Sequence, residues 1–166
     1  MRTLARLQDA TIHAFAVLAG IVFVLITLVL VLNVGLRFFA GKNVYGMIDA
    51  IEMGLMAATF LGAPWVLRKN AHVSVDIVLS GLSPARRLLV DRLTSLLGAL
   101  LSALFTWATL SALMIALSRG SMMRGVLVIP EWVPLLAPFI GGLLLTLEFL
   151  RRAAVGPETE AHQAGL

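Results

Sequence analysis

The sequence predicts an all-α integral membrane protein of four transmembrane helices, with an interfacial amphipathic segment between helices 2 and 3. Three observations carry that expectation. Of the 166 residues, 60% are apolar and only 13% are charged, too few charges to coat a water-soluble globule of this size. The mean hydropathy is +0.97, and the apolar residues gather in runs of about 18 or more, the length a helix needs to cross roughly 30 Å of hydrocarbon. The basic residues sit at the ends of those runs. The net charge of +4 therefore signals orientation in a membrane and not an affinity for nucleic acid.

The first span covers about residues 14–36. Ala14 to Leu32 carries no charge, and in hydrocarbon a helix is the local structure that satisfies its own backbone. Arg2 and Arg6 ahead of it resemble the front of a signal peptide. The apolar stretch exceeds the usual length of about 7 to 15 residues, however, and no small-x-small cleavage site follows promptly, so the span is expected to be retained. The second span, about residues 47–67, holds Asp49 and Glu52 near its beginning and closes on Arg68 and Lys69.

Residues 71–82 then mix Val73, Val75, Ile77, Val78, Leu79 and Leu82 with His72, Ser74 and Asp76, a composition suited to the headgroup region. This segment is expected either to position the third helix or to touch another membrane protein. Ser83 and Pro84 read as the N-cap and first position of the third helix. Its hydrocarbon part is expected at about residues 91–117, because a single helix from Pro84 would reach about 51 Å, so its opening turns lie at the interface or project beyond it. The fourth span, about residues 128–150, ends in Arg151 and Arg152 and opens irregularly, since Pro130, Pro134 and Pro138 each remove a backbone donor. Residues 1–153 read as one membrane domain and 154–166 as a short cytoplasmic tail.

Orientation follows from the 13 Lys and Arg residues. With the N-terminus inside, Arg2, Arg6, Arg68, Lys69, Arg86, Arg87, Arg92, Arg151 and Arg152 are cytoplasmic, leaving Arg37, Lys42, Arg119 and Arg124 outside. Both termini are therefore expected in the cytoplasm. Phe38, Phe39, Tyr45 and Trp132 then fall at the outer interface and Trp65 at the inner one, where aromatic belts form.

Little in the chain points to catalysis. The absence of cysteine excludes disulfides, thiolate metal sites and a thiol nucleophile. No phosphate loop, nucleophile elbow or zinc-binding His pair is present, so no catalytic residue, cofactor or metal is expected. His13 at a span edge has no partner in another span, which disfavours a haem-bearing redox anchor. Asp49 and Glu52 share a helical face, and Glu52 lies close to Arg37 across a short connection. An Arg37–Glu52 ion pair joining helices 1 and 2 is the favoured reading, with Asn33 one turn before Arg37; proton or ion coupling is the alternative. Glu131 and Glu148 lie near the two surfaces and read as solvated or paired. Gly54, Ala58 and Gly62, and Gly98, Ser102 and Thr106, form small-xxx-small seams for helix packing.

The order of motifs resembles a known family. Asn33-Val-Gly-Leu-Arg37, Glu52, Leu61-Gly62-Ala63 and Arg68-Lys69-Asn70-Ala71-His72-Val73-Ser74-Val75-Asp76 resemble the small membrane subunit of tripartite ATP-independent periplasmic (TRAP) transporters, the DctQ family. Ile129-Pro130-x-Trp132 and Pro138 resemble the family's fourth helix, from which Pro134 departs. The resemblance covers most of the chain. It implies a non-catalytic subunit packed against a large multi-span membrane subunit that holds the substrate and sodium sites, served by a periplasmic substrate-binding protein, in uptake of an organic acid such as a carboxylate. Lys42, Arg119 and Arg124 are then candidates for docking that binding protein through steering charges, or for contact with membrane lipids. The competing readings are a self-sufficient four-helix exporter, whose essential carboxylate would sit in helix 1, and a redox anchor.

Overall fold

A computed structural model describes residues 2–42, 44–69, 84–123 and 125–155. It contains α1 (Arg2–Ala40), α2 (Met47–Arg68), α3 (Pro84–Arg119) and α4 (Trp132–Val155). Each is long and apolar enough to span a membrane, over Gln8–Ala40, Met47–Arg68, Leu88–Arg119 and Trp132–Ala154. The interfacial segment, with His72, Val75 and Asp76, lies outside the described residues, as do Arg124 and residues 156–166.

Two helices depart from the spans read in the sequence, and both departures have local causes. The first helix starts at Arg2, well ahead of its apolar run, because the turn carrying Gln8 and Asp9 is held by side chains of α2 and α4. The fourth starts at Trp132, beyond the expected 128, because residues 121–131 are paired with one another. Met122 and Pro130 form an antiparallel bridge, and Glu131 N–H donates to the Ser121 carbonyl at 3.0 Å. Pro134 then falls in the first turn, where its missing N–H leaves no intrahelical bond unmade.

Extensive packing joins α1 to α2, α2 to α4 and α4 to α3. The helices are thereby linked in the order α1, α2, α4, α3, a row with α1 and α3 at its edges in which α1 also reaches α4 through Gln8 and Glu148. The tightest apolar cluster, Ala19, Ala58 and Leu61, lies where α1 meets α2, with Phe15, Val22, Ala137 and Ile140 against it. A row buries little: large apolar residues such as Val24, Leu32, Leu97 and Leu104 remain exposed along the edge helices, which in lipid carries no penalty.

The α2–α4 contact rests on backbone chemistry. Pro64, inside α2, has no N–H, so the Phe60 carbonyl one turn earlier loses its intrahelical donor. Gly141 of α4 comes up against that carbonyl: a Cβ there would lie 2.3 Å from the Phe60 oxygen. Only glycine permits the approach, and the geometry places its Cα against the freed oxygen.

Candidate functional site

At the end of the row that carries the start of α1 and the end of α4, the structure assembles an ionic network in which Glu148 is paired, as the sequence allowed, but is also buried and met by side chains of α1 and α2. Glu148 of α4 is fully buried. Arg151, one turn on, donates to its carboxylate from Nη2 at 2.7 Å and from Nε at 3.1 Å. Gln8 of α1 donates to Glu148 Oε2 at 3.2 Å, and the Arg68 guanidinium of α2 approaches the same oxygen at 4.0 Å while pairing with Asp9 of α1. Arg152 donates to the Leu67 carbonyl in the last turn of α2 at 3.2 Å, where helix carbonyls lack partners of their own. Two acids and two arginines from three helices thus neutralise one another. Glu148 exposes no surface, and its carboxylate is engaged by Arg151 and Gln8 with Arg68 beside it. The signal was present in Glu148–Arg151 spacing and in Arg68 closing α2 on the same side, but burial depends on how helices meet.

The small residues sit at helix contacts. Gly54 lies under Ile26 and Val22 of α1, and Gly62 faces Ala19. Gly98 of α3 lies under the Phe149 ring, and Gly142 of α4 faces Thr106 and Phe105. The Ser102 and Thr146 hydroxyls lie 3.1 Å apart across the α3–α4 contact; Ser102 donates to the Gly98 carbonyl and the single Thr146 proton goes to Ser102 or to the Gly142 carbonyl, so neither hydroxyl meets lipid unpaired. The Phe60 and Phe105 rings stack with centroids 5.3 Å apart.

The opposite end is organised by Asp49, not by Arg37. Asp49 Oδ2 accepts the Leu127 N–H at 3.0 Å, tying the α3–α4 connection to the first turn of α2. Gly46 caps that helix at φ 78°, a left-handed conformation suited to glycine. Beside it Asp49, Glu52, Met53, Met56, Met123 and Pro134 line a shallow cleft of about 170 Å³, below the size of ordinary ligand pockets. The structure does not bring Arg37 and Glu52 together: both are exposed, and no salt bridge joins them among the described residues. Asn33 is half-buried, and its Oδ1 finds no donor among the described residues. Lys42 and Arg119 are exposed at the same end. Among the described residues no three His, Asp or Glu side chains gather as metal ligands.

Residues 26–156 match the family described as tripartite ATP-independent periplasmic transporters, DctQ component. No curated protein and no solved structure matches the chain.

Proposed function

The chain belongs to the DctQ family of tripartite ATP-independent periplasmic transporter components, and from that premise we propose that it is the small, non-catalytic membrane subunit that packs against and supports the large transport subunit. The assembly would carry out sodium-driven, binding-protein-dependent uptake of an organic acid such as a carboxylate. One observation supports this division of labour above the others. Four helices linked in the order α1, α2, α4, α3 leave much of their apolar surface exposed, and their interior polar groups pair, Glu148 with Arg151 and Ser102 with Thr146. A transport site needs broken helices and converging donors near the midplane; a support needs faces.

The same proposal places the chain in the bacterial inner membrane with both termini cytoplasmic. It gives the exposed charges at the outer end their use: Arg37 and Glu52 pair once the complex assembles, and Lys42, Arg119 and Arg124 steer the binding protein. Residues 71–82 form a contact at the inner surface.

Reconstitution tests it. Vesicles holding the large membrane subunit, this chain and the soluble binding protein should accumulate labelled organic acid under a sodium gradient, and omission of this chain should abolish uptake. Transport by this chain alone, or undiminished uptake without it, refutes the assignment.

A further inference from the structure

The connection between α3 and α4 is built more tightly than a tether requires. Besides the Met122–Pro130 bridge, Met123 N–H donates to the Ile129 carbonyl at 2.8 Å and Glu131 N–H to the Ser121 carbonyl at 3.0 Å, while the Ser121 hydroxyl donates to Glu131. At its tip the Leu127 N–H is taken by Asp49. The Leu127 side chain sits over Gly46, where a Cβ would lie 2.8 Å from it, and Gly125 lies so close that a Cβ would fall 2.6 Å from Asp49 Oδ2.

Turning Leu127 inward turns its neighbours outward. Val126 is 60% exposed and Val128 72%. The two arms, residues 121–123 and 125–131, run beside the opening turns of α2: Leu127 at the tip meets its first turn at Asp49, and Met123 shares a cleft with Met53 and Met56, one and two turns further along it. Phe38, Phe39 and Tyr45 at the same end are more than three-quarters exposed. In water such a hairpin would hold apolar side chains rigidly against solvent. In lipid, backbone is tolerated where it brings its own partners, and here the N–H groups of Met123, Leu127 and Glu131 have theirs.

We propose that the hairpin is inserted into the outer leaflet at the boundary between headgroups and acyl chains, with Val126 and Val128 in lipid, and that Asp49 is the internal acceptor that lets its tip lie there. The occupant of this surface is phospholipid. A soluble protein that must leave in every cycle is poorly served by a fixed apolar surface, whereas the interface accepts short amphipathic elements of this kind. The inference rests on the proposed orientation and on the soluble partner of the proposed function, and goes beyond both.

The chain has no cysteine, so single sites can be labelled cleanly. Nitroxide-labelled Val126→Cys, Val128→Cys and Lys42→Cys would be placed in vesicles of phosphatidylethanolamine and phosphatidylglycerol, with and without the large membrane subunit. Collision with oxygen, which partitions into lipid, should dominate at 126 and 128. Collision with a water-soluble nickel chelate should be severalfold lower there than at 42, whether or not the larger subunit is present. Adding Asp49→Ala should raise label mobility and nickel collision at 128, while Asp49→Asn, which keeps an acceptor oxygen, should not. Nickel collision equal to that at 42 overturns the proposal, as does loss of both collisions when the larger subunit is added, or indifference to Asp49→Ala. None of these readouts measures transport, so their failure leaves the support role standing.

Discussion

A carboxylate with no exposed surface, held by Arg151 and Gln8 with Arg68 beside it, makes Glu148 the residue at which this protein is most vulnerable. Removing one member of a buried ionic group strands the others, and Glu148→Ala should cost about 3 to 5 kcal/mol. Glu148→Gln, which keeps an acceptor but not the charge, should fall between it and the parent in thermal unfolding of the purified chain. A loss under about 1 kcal/mol would reduce the network to a surface pair. The outer-end charges behave differently. Arg37 and Glu52 are exposed and apart in the single chain, so Arg37→Ala and Glu52→Ala should be additive in it. In the assembled complex, where they are proposed to pair, a thermal-stability cycle should show coupling of about 0.5 to 3 kcal/mol. The sequence displayed all these charges and the ends of the spans at which they lie. Which carboxylate is buried was not legible, because Gln8, Arg68 and Glu148 lie far apart in the chain and meet only when α1, α2 and α4 do.

Between elements, the closest approach is Gly141 against the Phe60 carbonyl. A methyl group there meets backbone rather than a flexible side chain, so Gly141→Ala should force α2 and α4 apart and destabilise by about 1 to 3 kcal/mol. Gly20→Ala and Gly35→Ala, where a Cβ meets nothing within 4 Å, should be neutral or mildly stabilising through helix propensity. Equal melting temperatures for all three would remove the special status of the α2–α4 contact. The existence of four helices was legible because about 20 apolar residues in lipid have few other options. Their ends were less so. The start of α4 is set by Ser121–Glu131 pairing, and the early start of α1 by Asp9 and Gln8 reaching other helices; hydropathy sees neither.

For the whole molecule, the proposed orientation rests on basic asymmetry and is directly measurable. Lys42 and Ala154 are both exposed and lie at opposite ends of the row. A membrane-impermeant maleimide should label Lys42→Cys from outside intact cells and Ala154→Cys only after permeabilisation, and the reverse pattern would invert the topology. The order of helices in the row was not legible at all. Small-residue seams at Gly54 and Gly98 announce that something packs closely there, but whether the neighbour is another helix of this chain or a different protein depends on contacts between distant segments.

The order α1, α2, α4, α3 has a consequence for how the protein is made. Neighbours in sequence are neighbours in space within each half, so α1–α2 and α3–α4 can leave the ribosome and enter the bilayer as two helical hairpins, one after the other. What joins them is a seam down α2 and α4, fastened by Asp49 to Leu127 at one end, Phe60 to Gly141 midway, and Leu67 and Arg68 to Arg152 and Glu148 at the other. Residues 1–83 and 84–166, expressed as separate polypeptides in one cell, should therefore find each other and co-purify, as complementing fragments do. Glu148→Ala combined with Gly141→Ala should abolish that reunion while leaving each fragment membrane-bound.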